Sequence, residues 1–385
     1  MQASVSIVKV LHVIISLNVG GAELILKRLI ALHINNSRYS HTVVSLRDIG
    51  VVGQQLSDLG VEVFTLGLNS VFQLPQVFFR LVKLIRYRQP DIVQTWMYHA
   101  DLVGGLAARL AGCRKVIWGI RNTDLFSGSG VSQSTGLVMR LCAILSGFVP
   151  HTILCVGHRA KAAHVGAGYS QSKMTVISNG FDTETYKSDS SIRHSIRQSL
   201  SVPSDILIIG SIGRFNEYKD HRGFVLALGK LASVESRAHF LMVGRDIDSD
   251  NSTLMKWIEE TGYMDRFMLL GERNDVPAIL NAMDIFCLHS KSEGFPNVLG
   301  EAMCTGLPSV VTDVGDAAVL LGDAGLVVPA QDTESLTEGL LTLVKYTAEN
   351  RATLGKIARK RIKENYSIES VKRQYEELYH RVMSA

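Results

Sequence analysis

Five cysteines (Cys113, Cys142, Cys155, Cys287 and Cys304) form no CxxC pair and no metal-ligand spacing. Their odd number and scatter exclude a disulfide framework and a zinc ribbon, and predict buried thiols in a reducing cytoplasm. Apolar runs of membrane-spanning length are missing too. The opening MQASVSIVKVLHVIISLNVGG is interrupted by Lys9 and His12 and has no small-residue cleavage site, and the run from Leu141 to Val156 is broken by Gly147, Pro150 and His151. Neither reads as a signal peptide or a span, so any membrane contact is expected at the surface. There is no GxGxxG fingerprint of a nicotinamide-binding domain, no repeat of solenoid length and no low-complexity tract. Nor do the basic residues gather in an aromatic-interleaved patch, which argues against a nucleic-acid partner.

What is present is enough chain for two cores. A length of 385 residues exceeds one ordinary domain, and 46% hydrophobic with 20% charged residues is a globular composition. Charge is uneven: residues 1–180 carry 17 Lys and Arg against 7 Asp and Glu, a net +10, and the remainder carries −6. A basic first half points to an anionic partner, either phosphates or an acidic lipid surface.

Short apolar runs alternate with helical patterns throughout. VLHVIISLN, HTVVSL, VEVFTLGL, DIVQTW, KVIWGI, TILCVG and MTVISNG occupy the first half, and ILIIGSIG, HFLMVG, FMLLGE, IFCLHS, PSVVTD and GLVVPA the second. Between them lie amphipathic stretches such as Ala22–Ile34, Gln76–Arg88 and Arg222–Ala232. This pattern predicts an α/β protein with two doubly wound, Rossmann-like domains of parallel strands. The break falls near residues 180–205, giving domains 1–180 and 181–365; a C-terminal helix over 366–385 is expected to pack back on the first. In such sheets ligands bind beyond the carboxyl ends of the strands, so two sheets facing each other across a cleft would surround one ligand.

Three strand ends carry the candidate residues. Asn18-Val19-Gly20-Gly21-Ala22-Glu23 leads from a strand into a helix, where free N–H groups and the dipole suit a phosphate, although a tight turn without a ligand explains it as well. Arg214 and Lys219 follow ILIIGSIG and are placed to neutralise a diphosphate, unless they are plain surface charges. Ser292-Glu293-Gly294-Phe295-Pro296-Asn297-Val298-Leu299-Gly300-Glu301 follows IFCLHS and enters a helix. Its two carboxylates suit paired hydroxyls and its amides suit phosphate or hydroxyl oxygens, while an acidic first turn serving the helix dipole accounts for Glu293 alone.

Glu293 to Glu301 has the E-x7-E form, and with VGGAE, WMYHADLVGGLAARLAG, VISNGFD, GRFNEYKDH, FLMVGRD, LLGERNDVPAIL and SEGFPNVLGEAMCTGLPSVVTDVGD it resembles, over nearly the whole chain, the retaining glycosyltransferases of the GT-B fold, family 4 in particular. The resemblance implies transfer of a hexose or N-acetylhexosamine from a nucleotide-sugar, UDP-linked by expectation. The acceptor would be a lipid-linked molecule or a saccharide in surface polysaccharide or glycolipid synthesis. It places Gly20 and Gly21 at the donor phosphates, with Arg214 and Lys219 countering their charge. Gly213, Gly244 and Arg273 line the donor side, Arg273 within a loop, Leu270–Arg273, that reads the base. Glu301 holds the ribose; Glu293 and the amides of Gly294, Phe295, Pro296, Asn297, Val298 and Leu299, as far as each has one, hold the sugar; His99 lies near the reacting centre. Pro296-Asn297 departs from relatives that carry glycine after the phenylalanine, which bears on sugar identity.

No metal or cofactor is implied. Asp248-Ser249-Asp250 spells the DxD metal motif of another transferase fold, but in its run of acids it reads as a solvated loop. Residues 76–88 form a basic amphipathic helix that suits either an anionic bilayer or plain packing on the sheet. The expected location is cytoplasmic, peripheral on the inner face of the cell membrane. Competing functions are a GT-B-fold sugar-nucleotide epimerase or phosphorylase and a non-catalytic two-domain sugar-binding protein.

Overall fold

The computed structural model describes residues 7–34, 38–123 and 133–385. They fall into two units, Met1–Asn179 with Val371–Ala385, and Gly180–Ser370. In the first, β1 (Val8–Ile14), α1 (Gly21–His33), β2 (Tyr39–Ser45), α2 (Gly50–Asp58), β3 (Glu62–Thr65), α3 (Leu74–Arg88) and β4 (Ile92–Trp96) alternate. The series continues with α4 (Tyr98–Leu110), β5 (Val116–Ile120), α5 (Gln133–Leu145), β6 (Thr152–Cys155), α6 (His158–Gly166) and β7 (Met174–Val176). All pairs are parallel, in the order β3-β2-β1-β4-β5-β6-β7.

The second unit opens with α7 (Ser190–Ser199), β8 (Leu207–Ile212), α8 (His221–Val234), β9 (Ala238–Val243), α9 (Ser252–Glu259), β10 (Phe267–Leu269) and α10 (Val276–Ala282). It goes on through β11 (Ile285–Leu288), α11 (Asn297–Thr305), β12 (Ser309–Thr312), α12 (Ala317–Leu321), β13 (Gly325–Val328), α13 (Thr333–Lys345) and α14 (Ala348–Arg361). Its parallel order is β10-β9-β8-β11-β12-β13. The last helix, α15 (Ile368–Ser384), joins the first unit from Val371 on.

Each apolar run named from the sequence is a strand, and the central ones, such as β4 and β5, are buried at every residue. Continuous burial is what parallel strands covered on both faces require. The helix expected at 76–88 begins earlier, at Leu74, where Pro75 supplies a preset φ in the first turn. On one face of the first sheet the core is built with α3, α4 and α5, and on the other with α1, α2 and α15. α15 brings Val371, Tyr375, Leu378, Tyr379 and Val382 into that second core. Polar bonds fix it there: Tyr379 Oη donates to Gln94 Oε1 at 2.7 Å, and Arg121 Nη2 donates to Tyr375 Oη at 2.6 Å.

Beneath α15 lies a buried histidine stack. Trp96 Nε1 donates to His12 Nδ1 at 3.2 Å, leaving His12 Nε2 to donate to His41 Nδ1 at 2.9 Å. His33 stacks on His41 with centroids 5.2 Å apart and lies 3.7 Å from Glu376 of α15. Burial, then the Lys372 charge, lowers His33 to about 4; burial, then His33, lowers His41 to about 3. His33 is therefore neutral at pH 7, and its contact with Glu376 is not an ion pair there. Because the folded values lie below the unfolded value near 6.5, the unfolded chain takes up protons first as the pH falls. Stability is expected to drop from about pH 6.5 towards 4, by roughly 1.4 kcal/mol per pH unit for each histidine still neutral in the fold. Denaturant melts across that range check this, and His41→Phe should make the slope shallower.

Candidate active site

In each sheet the strand order reverses at one place, between β1 and β4 and between β8 and β11. A parallel sheet opens a crevice at the carboxyl side of such a reversal. The predicted site residues sit in the loops and first helical turns that follow these four strands, or, for Gly244 and Arg273, just beyond β9 and β10 beside them, with Glu301 one turn further into α11.

In the first unit, the chain leaving β1 reaches Gly20, whose φ of −160° and ψ of 171° are extended, and α1 begins at Gly21 without a side-chain cap. Glu23 folds back over this turn: a Cβ on Gly20 would lie 2.4 Å from its Oε2. Burial raises the Glu23 carboxyl above its usual value. A phosphate binding the first-turn amides would therefore meet Glu23.

β4 ends in a strained turn. Met97 has φ 72° and ψ 157°, a conformation that costs a non-glycine residue about 1–3 kcal/mol. Its N–H donates to Gly119 O at 2.9 Å, and its carbonyl accepts from Asp101 N at 2.8 Å. The Asp101 carboxyl accepts from Thr95 Oγ1 at 2.5 Å and from Gly119 N at 3.1 Å, and burial pushes its pKa to about 8. Asp101 thus turns inward and locks the turn. His99, in the first turn of α4, is half-buried, and burial lowers its pKa, so the imidazole is neutral at pH 7.

In the second unit the loops after β8 and β11 are bound to each other. Lys219 Nζ lies 2.5 Å from Glu293 Oε1, which also accepts from Ser290 Oγ at 2.6 Å. His289 Nδ1 lies 2.5 Å from Lys219 O and its Nε2 is 2.7 Å from Ser211 Oγ. Burial holds His289 well below the usual imidazole value, so it is neutral and spans the two strands. Lys291 N donates to Tyr218 O at 2.7 Å, a third tie. Arg214 is exposed, and its carbonyl faces His221 Nε2 at 3.1 Å.

Gly213 and Gly244 meet backbone to backbone. Gly244 has φ 151°, and a Cβ there would lie 2.1 Å from Gly213 O. Arg273, beyond β10, is exposed and paired with Asp275 through bonds of 2.8 and 2.7 Å. Gly294, Phe295 and Pro296 form the approach to α11, Asn297, Val298 and Leu299 its first turn, and Glu301 follows in the next. Phe295 is buried and stacks on Phe181 at 6.1 Å. Asp248 of the DxD run accepts from Asp250 N at 3.1 Å, a local turn. Among the described residues no group of three or more His, Cys, Asp or Glu is arranged to hold a metal ion.

Lys219 and Glu293, separated by 74 residues, are thus in contact. His289, Ser290 and Ser211 belong to the same arrangement, as does Gly315, where a Cβ would lie 2.2 Å from Glu293 O, and no local sequence signal marks any of them. IFCLHS reads only as a strand, and a histidine ending it gives no sign of the lysine carbonyl it meets.

Two family models match in chain order: Glycosyltransferase Family 4 over residues 19–185 and Glycosyl transferases group 1 over residues 192–361. The UDP-Gal:alpha-D-GlcNAc-diphosphoundecaprenol alpha-1,3-galactosyltransferase of Escherichia coli is 27% identical over 266 residues, 68% of this chain and 68% of that protein. The putative glycosyltransferase EpsF of Bacillus subtilis is 26% identical over 357 residues, 89% of this chain and 88% of its own. Among solved structures, Anabaena Alr3699/HepE in complex with UDP gives a TM-score of 0.85 at 22% identity, covering 97% of this chain and 99% of that one. Such identity speaks for the fold, and the fold shared is GT-B. With the two models in order over most of its length, the chain belongs to the family 4, group 1 glycosyltransferases and is an enzyme of that kind.

Proposed function

We propose that the enzyme moves a hexose or N-acetylhexosamine from a UDP-sugar to a lipid-linked or saccharide acceptor, with retention of configuration, in surface polysaccharide or glycolipid synthesis. The observation that carries this reading is the Lys219–Glu293 pair at the strand reversal of the second sheet. A donor diphosphate would compete for the Lys219 ammonium and so free the Glu293 carboxylate to accept sugar hydroxyls. Arg214 adds charge, the first-turn amides of α11 add donors, and Glu301 takes the ribose. Gly213, Gly244 and Arg273 border the donor; Gly20 and Gly21 serve its diphosphate, and His99 the reacting sugar.

In this scheme the bond from the anomeric carbon to the diphosphate oxygen breaks as the acceptor oxygen bonds to that carbon on the same face. The acceptor proton passes to the departing phosphate. Lys219 and Arg214 stabilise the charge that develops there, so no protein carboxylate acts as nucleophile and no metal takes part. Support for the donor and acceptor classes comes from relatives. The E. coli enzyme by its name uses UDP-galactose and a diphosphoundecaprenol-linked sugar. HepE structures hold UDP, or UDP-glucose. Residues 76–88 are proposed to rest on an anionic membrane where a lipid-linked acceptor resides.

Thermal unfolding with UDP- and GDP-sugars tests the donor. A true donor at 100 times its Kd adds about 2.7 kcal/mol, several degrees in Tm, and the shift should persist in EDTA. UDP should then be released only when acceptor is present. Protection by GDP-sugars alone, or loss of protection in EDTA, would contradict the corresponding part.

A further inference from the structure

α3, α4 and α5 lie side by side over one face of the first sheet, α3 against α4 and α4 against α5. α5 spends Met139, Cys142 and Ala143 on the core. It nevertheless shows solvent a second apolar stripe: Leu137, Leu141, Ile144 and, just past its end, Phe148 are 60%, 40%, 71% and 76% exposed. Their spacing puts them on one helix face. Among the described residues the core does not use that face.

α3 is similar on its outer side. Phe79 and Tyr87 are 64% and 79% exposed, and Arg80, Lys83 and Arg86 are exposed among them. The turn entering α3 holds Phe72 at 97% exposure. α4 joins the two: Arg86 Nη2 donates to Leu110 O at 3.0 Å. Acid is nearly missing from this part of the chain. From Glu62 to Phe181 there are 12 Lys and Arg against four acids, Glu62, Asp91, Asp101 and Asp124; Asp101 is buried and Glu62 is paired with Arg88 of α3.

Large exposed apolar groups set among cations, with almost no acid, match a surface that is negatively charged outside and apolar beneath. A second copy docked by the same face would instead set like charges against each other. We infer that α3 and α5 together form a docking face for an anionic bilayer. The α5 stripe enters the boundary between headgroups and acyl chains, and the basic side chains of α3 lie against lipid phosphates. By this face the protein would rest on the membrane surface; among the described residues no helix is long and apolar enough to cross it. The inference rests on the membrane contact proposed for 76–88 and adds α5, which has no part in that reading.

Sedimentation of the full chain with vesicles tests it, using phosphatidylcholine alone and phosphatidylcholine mixed with phosphatidylglycerol. The unmodified chain should pellet with the anionic vesicles and stay in solution with the neutral ones. Ile144→Ser with Phe148→Ser should lower the partition coefficient at least tenfold with Tm unchanged, both positions being mostly exposed. Arg80→Gln with Lys83→Gln should cost roughly fivefold per charge and flatten the salt dependence. If the α5 variant bound as the unmodified chain does while the α3 variant did not, this inference would fall and the contact at 76–88 would stand. No binding by the unmodified chain would overturn both. An oligomer in gel filtration that the α5 variant turned into monomer would make the face an interface between copies and overturn the inference.

Discussion

Lys219→Ala is expected to lower kcat/KM by about 1,000-fold or more while leaving the fold intact. The ammonium lies 2.5 Å from Glu293 Oε1 and is 24% exposed, so it is held in place yet reachable by a ligand. Removing a preorganised group that faces developing charge costs about 100- to 1,000-fold, and here the group carries a full charge. Glu293→Ala is expected to be as damaging, because Lys219 and Ser290 would lose the acceptor that positions them. Neither charge is fully buried, so each change should cost only about 1–2 kcal/mol of stability. Because the two act as one unit, the double variant should be little worse than the poorer single one. UDP release with acceptor present and thermal melts would check this. Near-normal turnover in either single variant would remove the pair from the mechanism.

Gly315→Ala should reduce turnover about 100-fold without altering any polar group of the site. Gly315 has φ 49°, and a Cβ there would lie 2.2 Å from Glu293 O and 2.7 Å from Gly294 O. The left-handed conformation alone costs an alanine about 1–2 kcal/mol. Relief of the clash requires backbone to move, because the neighbours are carbonyls and not flexible side-chain ends. Asp316 N also donates to Gly294 O at 3.3 Å, so the loop carrying Glu293 cannot shift independently. A displacement of about 1 Å in a catalytic group costs on the order of 100-fold. The expected signature is a fall in kcat with a Tm only several degrees lower. Unchanged kcat would mean that the Glu293 loop is not held by this approach.

Much of the architecture could be read without coordinates. Thirteen apolar runs mark thirteen strands because parallel strands buried on both faces must be apolar nearly throughout, and β4 and β5 obey this at every residue. The helical periodicity of Val371, Tyr375, Leu378 and Val382 was visible as well, and all four are buried in the first unit. Gly20, Gly21, Lys219, Glu293 and Glu301 stood out because their residue types, placed after apolar runs, suit anions and hydroxyls. The sequence alone therefore determined the element types, the α/β class and the chemical character of the strand ends.

Tertiary structure decided which of those ends meet. Nothing local in NEYKD or in HSKSEG shows that Lys219 reaches Glu293, or that His289 bridges the two loops, because that contact depends on β8 and β11 being neighbours across the strand reversal. The apolar stripe of α5 was hidden for a related reason. A helix with apolar residues on two faces reads as buried, and only its position at the outside of the α4 layer leaves Leu137, Ile144 and Phe148 in solvent. Periodicity reports how a segment folds on itself within a few residues, whereas pairing and exposure follow from the order in which distant segments stack.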